Sequence, residues 1–147
     1  MSAAVRGWLG EQIHTRVVGP DAVTRRAELF ETSEPGWFAG GAPIRRVHGD
    51  ASMFVGGLRA LLFQSLHPRA MAGVAQHSDY RSDPWGRLQR TADFLAATTF
   101  GPTSEAERAV RIVRRVHRRV VGFTVNGEEY AASDPHLLGW VHIAELD

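Results

Sequence analysis

The 147-residue chain contains no cysteine and no lysine. The first absence excludes disulfides, thiolate-ligated zinc, iron–sulfur clusters, thiolate haem and a cysteine nucleophile together. The second excludes Schiff-base chemistry and makes all 17 basic residues arginine. Arginine suits bidentate recognition of carboxylates and phosphates, but a GC-rich coding sequence produces the same bias, so composition leaves both readings open. No apolar run reaches the roughly 18 residues of a membrane-spanning helix, so no transmembrane segment is expected. The N-terminal MSAAVRGWLGEQIHTRVVGP lacks the continuous apolar core and cleavage site of a signal peptide, and the expected location is cytoplasmic. A net charge of +1 gives no domain-wide electrostatic footprint for nucleic acid, and no such partner is expected. Also missing are a phosphate loop with lysine, GxGxxG after a strand, GxSxG and HExxH. No carboxylate pair stands out as a hydrolase dyad.

What remains is an ordinary soluble composition, 44% hydrophobic and 22% charged, long enough for one domain with one core over residues 1–147. Residues 10–30 carry two short helical candidates split by Gly19-Pro20, the second running from Asp21 to about Phe30. A Gly/Pro-rich loop spans Thr32 to Pro43, with Trp37 and Phe38 expected to tuck beneath it. Asp50 is placed to cap a helix whose density of apolar residues from Met53 to Leu66 predicts burial on every side. Gly56-Gly57 inside that helix costs roughly 1 kcal/mol per glycine, which implies close approach of another helix or a flat ligand. His67-Pro68 ends it and opens the next helix, PRAMAGVAQHS. Asp83-Pro84 repeats the device for WGRLQRTADFLAATTF, on which Arg87, Arg90, Thr91 and Phe94 share one stripe at i, i+3, i+4 and i+7. A partly exposed face with arginine stems over apolar neighbours explains that stripe, and so does a polar wall of a site.

Beyond Gly101-Pro102, Ser104 and Glu107 form a capping-box pattern for a helix over 104–121. Val110, Val113, Val120 and Val121 lie at helical spacing around His117, while Arg108, Arg111, Arg114, Arg115, Arg118 and Arg119 take the other faces. An imidazole in an apolar stripe requires a partner, since an unpartnered buried polar group costs about 1–3 kcal/mol. A backbone carbonyl or a metal would serve. Asn126-Gly127 between FTV and EEY marks a hairpin, and Asp134-Pro135 opens a last helix with Leu138, His142 and Glu145 near one face. The chain is expected to be mainly α, with six or seven helices and one small hairpin near 123–130. Of the seven histidines, His14 and His136 suit the surface, His48 a turn, and His67 and His77 helix C-termini. His117 and His142 alone fall in apolar faces.

The run VHGDASMFVGGLRALLFQSLHPRAMAGVAQHSDYRSDPWGRLQRTADFLAATTFG, the RxVHxxV of the arginine helix and GEEYAASDPHLLGWVH together resemble the MpaB-type and rubber-oxygenase (latex-clearing-protein) catalytic domain. The resemblance covers residues 43–147 in order and leaves 1–42 outside it. It implies an all-α, multi-helix orthogonal bundle with a partial globin-like core, and an oxidoreductase that binds haem b (iron). Such an oxygenase would act with dioxygen on an unsaturated hydrophobic, isoprenoid-like substrate. His117 matches the proximal haem ligand. Arg87, Arg90 and Thr91 match the distal catalytic cluster, where Arg90 replaces a lysine. An arginine does not lose its proton and so does not ligate iron, which leaves Arg87 and Arg90 as hydrogen-bond donors to oxygen or a propionate. His142 is expected to be structural. The resemblance also suggests a truncated domain, completed by a complementary C-terminal half or by a homo-oligomer. A helical interaction module built on the arginine face of 104–121 is the alternative function.

Overall fold

A computed structural model of the chain describes residues 33–146, with Val5, Gly7, Trp8, Gln12, Thr15, Arg16, Gly19, Thr24 and Ala27 before them. The helix expected at Asp21–Phe30 and the surface position of His14 lie outside the described residues. Six helices and one hairpin follow in order: α1 Pro43–His48, α2 Met53–Ser65, α3 Pro68–His77, α4 Pro84–Phe100, α5 Thr103–His117, β1 Val121–Phe123, β2 Glu129–Ala131 and α6 Pro135–Leu146. The mainly helical class with one small hairpin is thus borne out. Among the described residues, no helix is long and apolar enough to cross a membrane.

Proline sets most of the helix starts. Pro43, Pro68 and Pro84 each occupy the first turn, where a missing N–H costs nothing. At α4 the Asp83 carboxylate also accepts the Gly86 amide at 2.8 Å. Pro135 opens α6, and Asp134 Oδ1 accepts the His136 amide at 2.9 Å. Helix α1 was not expected: Ala42 is an extended N-cap with no side-chain oxygen, and Pro43 supplies the start alone. The hairpin turns at Gly127, whose φ of +80° favours glycine. Its antiparallel register pairs Val121 with Ala131 and Phe123 with Glu129.

The chain divides into two compact units, Met1–Ala39 with Tyr80–Ala109, and Gly40–Asp79 with Val110–Asp147. In the second, α2 packs on α3 and α6, and α3 packs on both strands and α6. Its core is built on Ala70, Tyr130, Leu137 and Ala144. The Tyr130 hydroxyl donates to Gln76 Oε1 at 2.8 Å, and Gln76 Nε2 donates to the Phe123 carbonyl at 2.9 Å, which fastens the hairpin to α3.

Three sequence expectations fail here for the same reason, that tertiary packing decides burial and pattern does not. Helix α2 is not buried: none of its 13 residues is, and a Cβ added at Gly56 or Gly57 would meet nothing within 4 Å. Trp37 and Phe38 are exposed and do not tuck beneath their loop. Asp50 does not cap α2. Its Oδ1 accepts the Ser52 amide at 2.8 Å in the turn before the helix, and Ser52 is the N-cap.

Candidate functional site

Helix α5 is anchored at its start by tertiary contacts. Thr103 donates through its amide and its hydroxyl to the Pro35 carbonyl, at 3.0 and 2.8 Å. The Ser104 amide and hydroxyl donate to Glu34 Oε1 and Oε2 at 2.8 and 2.6 Å. The Ser104–Glu107 capping box therefore does not form, because Glu34, far away in sequence, takes both Ser104 donors. Those bonds, the side-chain one first and then the amide, hold the Glu34 carboxyl below its usual range.

The helix ends at His117, and Arg118 and Arg119 turn the chain into β1. Val121 thus leaves the helix and is exposed on the strand, so it does not extend the apolar stripe. Val110, Val113 and His117 are half-buried at helical spacing, Val120 is half-buried but lies beyond the helix end, and the six arginines from Arg108 to Arg119 are exposed. Burial lowers the pKa of His117. Desolvation disfavours the charged imidazolium. Neither ring nitrogen has a hydrogen-bond partner among the described residues. The result is a neutral imidazole at pH 7 with its nitrogens available.

On α4 the expected cluster does share a face, but its members are engaged differently. The Arg87 side chain is half-buried, and burial, then the charge of Arg90, lower its pKa. Arg90 is exposed and reaches Asp83 Oδ2 at 3.4 Å. Thr91 is exposed and donates its hydroxyl to the Arg87 carbonyl at 3.1 Å, within its own helix. Only Arg87 therefore presents a partly desolvated charge. Arg87, Arg90 and Thr91 belong to the first unit and His117 to the second.

The other histidines rearrange the expectations. His142 is exposed, because α6 turns Leu137, Trp140, Val141 and Ala144 inward. His67 is not a free C-terminal imidazole: it is the N-cap of α3, and its ring centroid lies 5.3 Å from that of Trp140. His67 Nδ1 and Trp140 Nε1 are both buried without a partner among the described residues, a pairing no sequence spacing signals. His77 Nε2 lies 3.1 Å from the Val121 carbonyl and ties α3 to β1. His48 is half-buried at the end of α1 and its pKa is lowered by burial. A recess of about 400 Å³ is lined by Pro43, Arg46, Val47, Asp50 and Ser52 and includes none of the expected site residues.

Among the described residues no three histidine, cysteine or carboxylate side chains converge on a point that could hold a metal ion. A metal carried by its own macrocycle needs a single protein ligand, and the donor chemistry of His117 meets that demand. Comparison with known proteins gives one result on each side. No curated protein and no solved structure matches the chain. The sequence pattern of the family described as ER-bound oxygenase mpaB/B'/Rubber oxygenase, catalytic domain, matches residues 45–147, which include α2 to α6, His117 and the Arg87 cluster. On that match, the chain belongs to the mpaB/rubber oxygenase catalytic-domain family.

Proposed function

We propose that the protein is a haem-dependent oxygenase that acts with dioxygen on an unsaturated, isoprenoid-like hydrophobic molecule. The observation that carries this reading is His117, a neutral half-buried imidazole without a hydrogen-bond partner among the described residues, inside the family-matched segment. In this reading His117 would be the residue that holds the iron of haem b. The bound haem supplies the dioxygen chemistry. Arg87, partly desolvated, would offer its guanidinium to a propionate or to an oxygen acceptor. Arg90 and Thr91 supply further polar groups on the same face of α4. Arg90 keeps its proton and would not ligate iron. The test is reconstitution with haemin followed by absorbance. Wild type should show a Soret band that His117→Ala loses, and Arg87→Ala should weaken haem retention. No Soret band in wild type, or an unchanged one in His117→Ala, refutes the assignment.

One observation favours a second reading, an interaction module. Arg114, Arg115, Arg118 and Arg119 are exposed and have no carboxylate partner among the described residues. Such a face suits an acidic partner. It predicts salt-sensitive binding that survives His117→Ala and disappears in Arg115→Glu/Arg119→Glu.

A further inference from the structure

Helix α2 is turned inside out. Its packed side is Met53, Gly57, Ala60 and Gln64, half-buried at i, i+4, i+7 and i+11. This side packs on α3 and α6. The opposite side carries Phe54, Val55, Leu58, Leu61, Leu62 and Leu66, each between 40% and 71% exposed. These six fall on one contiguous face, and no charged residue lies among them. The helix's single basic side chain, Arg59, stands at the flank with its guanidinium 5.3 Å from the Phe63 ring centroid.

We propose that this face is the interface of a homodimer, in which α2 of one copy packs against α2 of a second copy about a two-fold axis. Three arguments select a second copy. The first is area: the exposed parts of the six side chains amount to roughly 600 Å², the top of the range of about 300–600 Å² for the largest apolar patch of a monomer, and two copies would together cover about 1,200 Å², the lower end of a standard interface. The second is self-complementarity. A two-fold contact brings a patch against itself, and an uncharged apolar face tolerates this where an arginine face does not. The third is the pattern within the face, since Val55, Leu58 and Leu62 recur at i, i+3 and i+7, the spacing of a helix–helix seam. A bilayer surface is the rival occupant. It would favour a rim of several basic residues beside the apolar face, and α2 offers one arginine.

The full-length chain tests this directly. Sedimentation equilibrium at micromolar concentration should give twice the 16.2 kDa chain mass. Leu58→Glu/Leu62→Glu should sediment as a monomer with an unchanged far-ultraviolet circular dichroism spectrum. A second variant guards against misfolding: because the chain has no cysteine, Leu58→Cys supplies a lone thiol. It should form a covalent dimer on mild oxidation more than tenfold faster than Asn126→Cys at the hairpin turn. A monomeric wild type, a dimer that survives the double variant, equal cross-linking at the two positions, or an open-ended series of larger species overturns the proposal. So does co-sedimentation of wild-type monomers with phosphatidylcholine or phosphatidylserine vesicles, which would give the face to a membrane.

Discussion

Replacing His117 by leucine separates a ligand histidine from a core histidine by sign. In the haem-free protein the imidazole is half-buried and unpartnered among the described residues. A fully buried polar group in that position costs about 1–3 kcal/mol, and half exposure places His117 near the lower end. Leucine removes that cost and adds about 1 kcal/mol of partial apolar burial in the stripe with Val110 and Val113. The haem-free His117→Leu variant should therefore be more stable by about 1–2 kcal/mol, a rise in Tm of roughly 3–6 °C for a chain of this length. The pH dependence follows from the direction of the shift. Burial lowers the folded pKa below the ordinary 6.5, so the unfolded chain binds the proton more tightly. Wild type then loses stability as pH falls through 6.5 toward the folded value, and the leucine variant has no such loss at this position. Urea denaturation followed by circular dichroism at pH 7.5 and pH 5.5 should show a gap that widens at the lower pH. A variant destabilised by 1 kcal/mol or more, or a gap that does not widen, would mean that the imidazole is a satisfied core residue and that the ligand assignment rests on nothing.

Three further outcomes follow from single contacts. Asp83→Ala removes the acceptor of the Gly86 amide and the partner of Arg90. It should cost about 1 kcal/mol, nearly all from the cap because the ion pair is exposed, as read from urea midpoints. Tyr130→Phe removes the donor to Gln76 Oε1 from a ring only 3% exposed; because Gln76 is exposed and can turn to water, the cost should be about 0.5–1.5 kcal/mol in the same assay. The Glu34 carboxylate is stabilised by Ser104, so its contribution is present above 4.5 and disappears as pH falls through its lowered value. The Ser104 amide shift, followed by NMR, should titrate with a midpoint below 4.5, and a midpoint at or above it would refute the link.

The parts of the fold legible in the sequence are those decided by local chemistry. Asp83-Pro84, Asp134-Pro135 and His67-Pro68 start helices because proline fixes φ, and Asn126-Gly127 makes the turn because Gly127 stands at positive φ. Ala42-Pro43 uses the same device without a side-chain cap, so the start of α1 carries no local capping signal. What misled was whatever depends on a distant partner. Ser104 and Glu107 had the capping-box spacing, yet Glu34 claims the Ser104 donors. His142 sat in an apolar pattern but faces out, while His67, read as a helix end, packs on Trp140. At the candidate site, the stripe through His117 was readable from periodicity. The separate engagements of Arg87, Arg90 and Thr91 were not, because equal spacing on α4 says nothing of which head group is desolvated.

Helix α2 departs furthest from its sequence pattern, and the cause has an energetic consequence. Hydropathy counts how much apolar surface a helix carries. It does not say whether the unit around it offers enough surface to cover that helix. Here the buried apolar side chains of the unit are Ala70, Tyr130, Leu137 and Ala144, and α2 packs on α3 and α6 while its leucines remain largely outside. The free energy of covering those leucines is realised only on association, so folding and dimerisation are linked through concentration. Two unfolded chains form from one dimer, and a tenfold rise in protein concentration should raise the wild-type Tm by about 2 °C. Leu58→Glu/Leu62→Glu should show no such dependence. The His117→Leu gain, arising on α5, should be the same at every concentration. If the wild-type Tm is independent of concentration from 1 to 100 μM, the leucine face of α2 contributes nothing to stability through a second copy.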